Sequence, residues 1–366
     1  MRKRVLVLGC TGSIGSSTLD IVRNMRDKFE VVGLSANKSA SELKKLADEF
    51  SCPATLFSSE GEEGLERLIK STKADIAVNG VAGAAGLMPS VKVLENGIDL
   101  ALANKETVVM AYPLIKALAI AHNARILPVD SEHSAIFNLV ERFGTDNIES
   151  LVITASGGPF REFPKEKLAL VKPENALKHP TWKMGKKITL DSADLANKGL
   201  EVIEACRLFG FSSSKVEVVV HPQSLIHSMI RTKDGELYAQ ISEPDMKHPI
   251  LSALTWDSVI ENYLPKFDIT KHTMSFFPPR YEDFPLLKYA FEAAERGKST
   301  PIAYNAANEV GAYAFLDGKC NFLDIPRIVR ATLDENWDTE PSSIEEVLSQ
   351  DSRARKIAAT ALEKAL

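Results

Sequence analysis

The N-terminal third of the chain alternates between two patterns, and that alternation limits the fold more than any other feature. "RVLVLG", "EVVGLSA", "ATLF", "DIAVNG", "DLALAN" and "RILPVD" are short apolar runs. Segments with helical spacing lie between them, such as "SIGSSTLDIVRNM" and "SASELKKLADEF". Strands alternating with helices build βαβ units, and these make a parallel sheet. Runs that are apolar throughout, rather than at every second residue, suit a sheet covered on both faces. The expected fold class is α/β, with an N-terminal Rossmann-like parallel sheet over residues 1–127.

The pattern then changes. "SLVITASGGPF", "KVEVVVHPQSLIHSMIR" and "GELYAQIS" read as strands, and "ADLANKGLEVIEACRLFG" as a helix closed by Gly210. Few turns here are tight enough for hairpins, so residues 128–261 are expected to form an α+β domain. "PKFDITKHTMSFFPPR" is proline-rich and aperiodic and reads as a linker over 262–280. The segments beyond it carry helical periodicity, which predicts a C-terminal helical domain over 281–366. Lys and Arg number 44 against 49 Asp and Glu, a net charge of −5, without the basic surplus of a nucleic-acid binder. The four cysteines are far apart and form no CxxC pair. That argues against a zinc site or a disulfide framework and fits a reducing compartment. The N-terminus reads as a strand rather than a signal peptide, and no apolar run is long enough to span a bilayer. A cytoplasmic protein with neither membrane nor nucleic acid as partner is the expectation.

"GCTGSIG" follows the first predicted strand and opens a helix. Amide groups at such a turn, with the helix N-terminus, bind a pyrophosphate. A glycine turn with no ligand is the competing explanation. The second strand ends at Ser35, Asn37 and Lys38, where enzymes that use NAD usually carry an acid. A cation with small polar neighbours favours NADP, unless Lys38 is only a solvated residue at a helix start.

In "VDSEHSAIF", Asp130 and Glu132 flank a serine. In an extended chain they would point to the same side, and two like charges so close need something positive between them. Two carboxylates make half a site for a hard divalent ion. Asn197, Lys198 and Glu201 share one face of the predicted helix, and Glu201 is the candidate third acid. The alternatives are strand-end caps and a solvated Lys–Glu pair. "ALANKET" places Asn104, Lys105 and Glu106 at the carboxyl end of a strand, where open α/β sheets bind ligands. Ser156 with two glycines, Ser192 at a predicted helix start, and Lys198 together describe a phosphate pocket. His179, Trp182 and Met184 in "HPTWKMG" suit a lid that excludes water, although such side chains are more often plain packing.

"GCTGSIG", "ALANKE", "PVDSEHSAIF", "TASGGPFR", "HPTWKMG", "DSADLANKGLEVIEA" and "HPQSLIHSM" occur in this order. As an ordered set they closely resemble the 1-deoxy-D-xylulose 5-phosphate reductoisomerase family of the non-mevalonate isoprenoid pathway. The resemblance implies a rearrangement of 1-deoxy-D-xylulose 5-phosphate, then reduction by NADPH to 2-C-methyl-D-erythritol 4-phosphate. It also implies a homodimer of V-shaped subunits, with Mg²⁺, Mn²⁺ or Co²⁺ held by Asp130, Glu132 and Glu201. By the same resemblance Lys105, Glu132 and His179 are the catalytic set. Lys105, Ser131 and Glu132 contact the substrate's oxygenated backbone, with Glu201 beside them. Ser156, Ser192, Asn197 and Lys198 bind its phosphate with His179 close by, and Trp182 and Met184 close over it. Thr11, Gly12, Ser13, Ile14, Asn37, Lys38, Ser39, Asn104, Glu106 and Gly185 carry over as cofactor contacts. Asp194 departs from the family's pattern and adds a negative charge beside the expected phosphate pocket. The rival is another NADP-dependent enzyme, such as an aldose or semialdehyde dehydrogenase. A metal-free hydride transfer leaves the three carboxylates without work. A non-catalytic NADP-binding regulator would need the glycine turn alone.

Overall fold

Strand β1 (Lys3–Leu8) is apolar over Val5–Leu8, and all four of these side chains are wholly buried. A glycine turn leads into α1 (Ser13–Asn24). There follow β2 (Phe29–Ala36), α2 (Ala40–Phe50), β3 (Ala54–Leu56), α3 (Phe57–Thr72), β4 (Ile76–Asn79), α4 (Leu87–Glu95), β5 (Asp99–Leu102), α5 (Lys105–Ala121) and β6 (Ile126–Pro128). The strands pair in parallel in the order β3-β2-β1-β4-β5-β6. This is the doubly wound order, and it reverses between β1 and β4, where such sheets open a crevice for a dinucleotide. The computed structural model describes residues 2–178, 181–182 and 184–365.

The chain continues through α6 (Ser131–Phe143), β7 (Ile148–Ala155), α7 (Pro173–Ala176), α8 (Lys186–Ala193), α9 (Ala196–Phe209), β8 (Val216–Val220), β9 (Ile226–Thr232) and β10 (Leu237–Ile241). Then come α10 (Lys247–Thr255), α11 (Leu286–Arg296), α12 (Thr300–Leu316), α13 (Asp324–Leu333) and α14 (Ile344–Ala365). Two compact units result. Met1–Thr107, Pro113–Ser134 and Asp245–Lys266 form the first; Val108–Tyr112, Ala135–Pro244 and Phe267–Leu366 form the second.

Within the first unit, α10 and the residues after it are tied to α1. Lys247 lies 3.2 Å from the Asp20 carboxylate, and the Tyr263 hydroxyl donates to the same oxygen at 2.9 Å. The second unit holds a mixed sheet in the order β10-β9-β7-β8. β7 and β8 are parallel, while β9 runs antiparallel to both β7 and β10. β9 and β10 form a hairpin across Gly235, whose φ of +90° suits glycine. One core joins the sheet (Leu151, Ile153, Ile230) to α9 (Leu200, Ile203) and to the C-terminal helices (Tyr304, Phe315, Ala354). Among the described residues no helix is long and apolar enough to cross a membrane.

Candidate active site

The glycine turn is built for close approach. Gly9 has φ +78°, and the N–H groups of Gly9 and Cys10 donate to the Ser35 carbonyl at 2.9 and 2.8 Å. A Cβ on Gly15 would stand 2.5 Å from both the Cys10 Cα and the Gly9 oxygen, so only glycine fits there. No side chain caps α1, and Gly12 and Ser13 are exposed. The amide end of that helix is open to an anion. Thr11 and Ile14 are half-buried beside it, and Asn37, Lys38 and Ser39 are exposed just beyond β2. Gly185 is exposed and precedes α8. Asn104 is different. It is buried and caps α5, accepting from the Thr107 N–H at 2.9 Å. Its amide also donates to the Val81 and Gly83 carbonyls and to Glu106 at 2.8, 2.8 and 3.0 Å. Its side chain therefore ties the loop after β4 to the start of α5.

The extended geometry expected at Asp130 and Glu132 is not what forms. The chain turns at Asp130, whose carbonyl accepts from the Ser134 N–H at 2.8 Å, and α6 starts at Ser131. An Asp followed by Ser-Glu before an apolar helical stripe is a helix-start signal, and it prevails over strand continuation. Glu132 lies in the first turn, where a negative charge is favourable. The positive group that Asp130 requires is Lys105, with Nζ 2.5 Å from Oδ2 and both side chains largely buried. His133 is wholly buried, its Nδ1 3.8 Å from the same oxygen. Burial pushes the Asp130 carboxyl up, but Lys105 and His133 together outweigh it and hold the carboxyl well below the usual range. The Ser131 hydroxyl donates to Glu132 at 2.6 Å.

In the second unit Ser192 does not begin a helix. It sits near the end of α8, and its hydroxyl donates to the Ile188 carbonyl at 2.9 Å. The predicted single helix is broken by Leu195, whose φ of +64° is left-handed, and α9 begins at Ala196. The loop after β7 lies directly on that break. Gly157 and Gly158 have φ +79° and +64°, and a Cβ on Gly158 would stand 2.4 Å from the Ser192 carbonyl oxygen. Ser156, two residues before that contact, accepts from the Gly158 N–H at 3.3 Å. In the first turns of α9 Asn197 donates to Glu201 at 2.6 Å, and Lys198 pairs with the other oxygen of Glu201. Lys198 is 5% exposed and Glu201 0%. A solvated Lys–Glu pair is therefore excluded.

Asp194 does not lie on an outer helix face. It is buried, and its Oδ1 accepts from the Ala196 N–H at 3.0 Å. Burial and the nearby Asp191 push its carboxyl well above the usual range. Trp182 and Met184 are half-buried. The Trp182 ring lies 6.3 Å from that of His227, and the Thr181 hydroxyl donates to the Pro222 carbonyl at 3.4 Å. His179 lies outside the described residues. Two residues escaped the sequence reading. His133 stands three residues after Asp130, and Asp191 pairs with Lys187 at 2.6 Å and i,i+4 spacing. Those spacings were the available signals.

A parallel sheet in this order with this glycine turn defines a dinucleotide-binding protein. The chain belongs to the 1-deoxy-D-xylulose 5-phosphate reductoisomerase family. The family's profile matches residues 5–60 and 53–112, and profiles of its C-terminal domains match 126–209 and 241–357. The 1-deoxy-D-xylulose 5-phosphate reductoisomerase of Treponema denticola is 50% identical, covering 98% of this chain and 96% of that relative. Among solved structures, the reductoisomerase from Zymomonas mobilis in complex with NADPH is 39% identical. It has a TM-score of 0.90 and covers 99% of this chain and 100% of its own. A DOX-P reductoisomerase in complex with NADPH, fosmidomycin and magnesium is 34% identical with a TM-score of 0.91, covering 99% and 98%.

Proposed function

We propose that the protein converts 1-deoxy-D-xylulose 5-phosphate to 2-C-methyl-D-erythritol 4-phosphate, using NADPH and a divalent metal ion, in isoprenoid precursor synthesis. The observation that carries this is family membership over nearly the whole chain. The residues fit both bound groups. No side chain caps α1, and Gly12 and Ser13 at its start are exposed, which suits a pyrophosphate at the helix amides. Asp130 is held ionised, and carboxylate oxygens are the donors that Mg²⁺ or Mn²⁺ prefers.

Asp130, Glu132 and Glu201 are the proposed metal ligands. Thr11, Gly12, Ser13 and Ile14 hold the cofactor's phosphates, and Lys38 with Asn37 and Ser39 reads its 2′-phosphate. Asn104 contributes by shaping the loop after β4, with Glu106 and Gly185 as further contacts. When bound, the ion polarises the substrate's carbonyl and NADPH supplies the hydride. Lys105 places a buried ammonium where negative charge develops on the substrate's oxygen. Ser131 orients Glu132 for contact with the substrate's hydroxyls. Ser156, Ser192, Asn197 and Lys198 hold the phosphate, with His179 near them, and Trp182 and Met184 exclude water from above.

We infer further that the protein works as a cytoplasmic homodimer, as the family resemblance suggests; a monomer by light scattering at assay concentration would overturn the dimer. The activity is tested by NADPH oxidation on adding the substrate, with Mg²⁺ and again with EDTA. Metal-dependent oxidation supports it. No oxidation by folded protein with metal present would return the choice to a metal-free dehydrogenase.

A further inference from the structure

The joint between α8 and α9 carries Ser192 on one side and Asn197 and Lys198 on the other. Only Asp194 and Leu195 connect the two helices. Leu195 is buried with φ +64°, a conformation that a leucine adopts at a cost and holds only when its surroundings impose it. Asp194 spans that residue. Its own N–H closes α8 on the Leu190 carbonyl at 3.2 Å, and its Oδ1 accepts from the Ala196 N–H, the first of α9.

Both helices are also referenced to α12. The Asn308 amide donates to Asp191 on α8 at 3.1 Å, and Asp191 pairs with Lys187 one turn earlier. A Cβ at Gly199 on α9 would stand 2.5 Å from the Tyr304 hydroxyl and 2.7 Å from the Ala290 Cβ, so α9 packs closely against α12 and α11. What remains adjustable is the joint itself. Oδ2 of Asp194 is buried and meets no hydrogen-bond partner among the described residues. An ionised carboxylate there would be costly.

We propose that Asp194 is a positioning residue of the phosphate pocket, using an uncharged side-chain oxygen to fix the break between α8 and α9. Ser192 is thereby set against Asn197 and Lys198. This rests on the assignment of those three residues to the substrate's phosphate, and the resemblance itself gives Asp194 no role. The raised pKa of the carboxyl agrees with an uncharged group, so the pocket is spared a repelling charge.

The test measures kcat and KM of the full chain with NADPH and Mg²⁺, for 1-deoxy-D-xylulose 5-phosphate and for unphosphorylated 1-deoxy-D-xylulose. Asp194→Ala should raise the KM of the phosphorylated substrate about tenfold or more, because small misplacements of binding groups are expensive. Its kcat and its KM for NADPH should stay within about threefold, and its preference for the phosphorylated substrate should shrink. Asp194→Asn keeps the acceptor without a charge and should remain within about threefold of the parent throughout. A parent-like KM in Asp194→Ala, or an Asp194→Asn as impaired as Asp194→Ala, overturns the proposal while leaving the pocket assignment standing. A parent enzyme indifferent to the phosphate overturns both. If Asp194→Ala does not fold, Asp194→Asn decides alone: retention supports an uncharged acceptor, and a tenfold rise in KM overturns it.

Discussion

Lys105 and Asp130 form a buried ion pair, 2.5 Å between Nζ and Oδ2, at the carboxyl ends of β5 and β6. Two short strands thus deliver opposite charges to one place in the first unit. The lysine keeps the carboxylate ionised, and the carboxylate holds the lysine's ammonium in place. Neither residue can be altered without stranding the other, since an unpaired buried charge is heavily penalised.

Lys105→Ala should therefore act twice. Removing one partner of a buried pair costs about 3–5 kcal/mol of stability. Loss of a preorganised charge at a developing oxyanion should cut kcat by about a hundredfold to a thousandfold. Thermal unfolding and steady-state NADPH oxidation read the two effects separately. A variant with parental kcat would place Lys105 outside the chemistry.

Glu201→Gln removes a proposed metal ligand and no cofactor contact. Turnover should fall at least about a hundredfold, the scale of several kcal/mol of lost charge stabilisation. The Kd for NADPH, followed by fluorescence titration, should move by less than about threefold. Chelation of the parent protein should stop turnover, and added Mg²⁺ or Mn²⁺ should restore it. Full activity in Glu201→Gln would refute the ligand assignment.

Lys38→Ala should weaken NADPH more than NADH. A charge-assisted contact to a phosphate is worth about 1.5–3 kcal/mol, so kcat/KM for NADPH should fall about tenfold or more while that for NADH barely changes. Equal losses with both cofactors would mean that Lys38 does not read the 2′-phosphate.

Gly15→Ala drives a Cβ to 2.5 Å from two backbone atoms of the glycine turn. Backbone cannot yield as a flexible side chain would, so α1 must shift. Overpacking of this kind costs about 1–3 kcal/mol. The expected outcome is a lower Tm together with at least tenfold weaker NADPH binding, about the loss of one good contact. Parental affinity in a folded Gly15→Ala protein would remove the turn from the cofactor site.

Much of this protein is legible in its sequence. The parallel sheet showed because its strands are covered on both faces and so carry continuous apolar runs, as β1 does over Val5–Leu8 and β4 over Ile76–Val78. The glycine turn showed because steric demands at Gly9 and Gly15 admit almost no other residue. Helices α11 and α13 of the C-terminal segment showed through their periodicity, since each buries one stripe in a shared core. Local signals failed where two local preferences competed. At Asp130 helix initiation prevailed over strand continuation. At Leu195 tertiary packing imposed a left-handed residue on a segment that reads as one unbroken helix.

Residue types and their order were thus enough to indicate the family and the chemistry. Which charges meet was settled only in three dimensions. No spacing in the sequence shows that Lys105 answers Asp130, or that the glycines after Ser156 lie on Ser192. The raised proton affinity of Asp194 is likewise a tertiary property, because burial and the nearby Asp191, not the residue's identity, shift it. Sequence determines which groups are available, while burial and distance set the strength of each electrostatic interaction, and only folding supplies those two quantities.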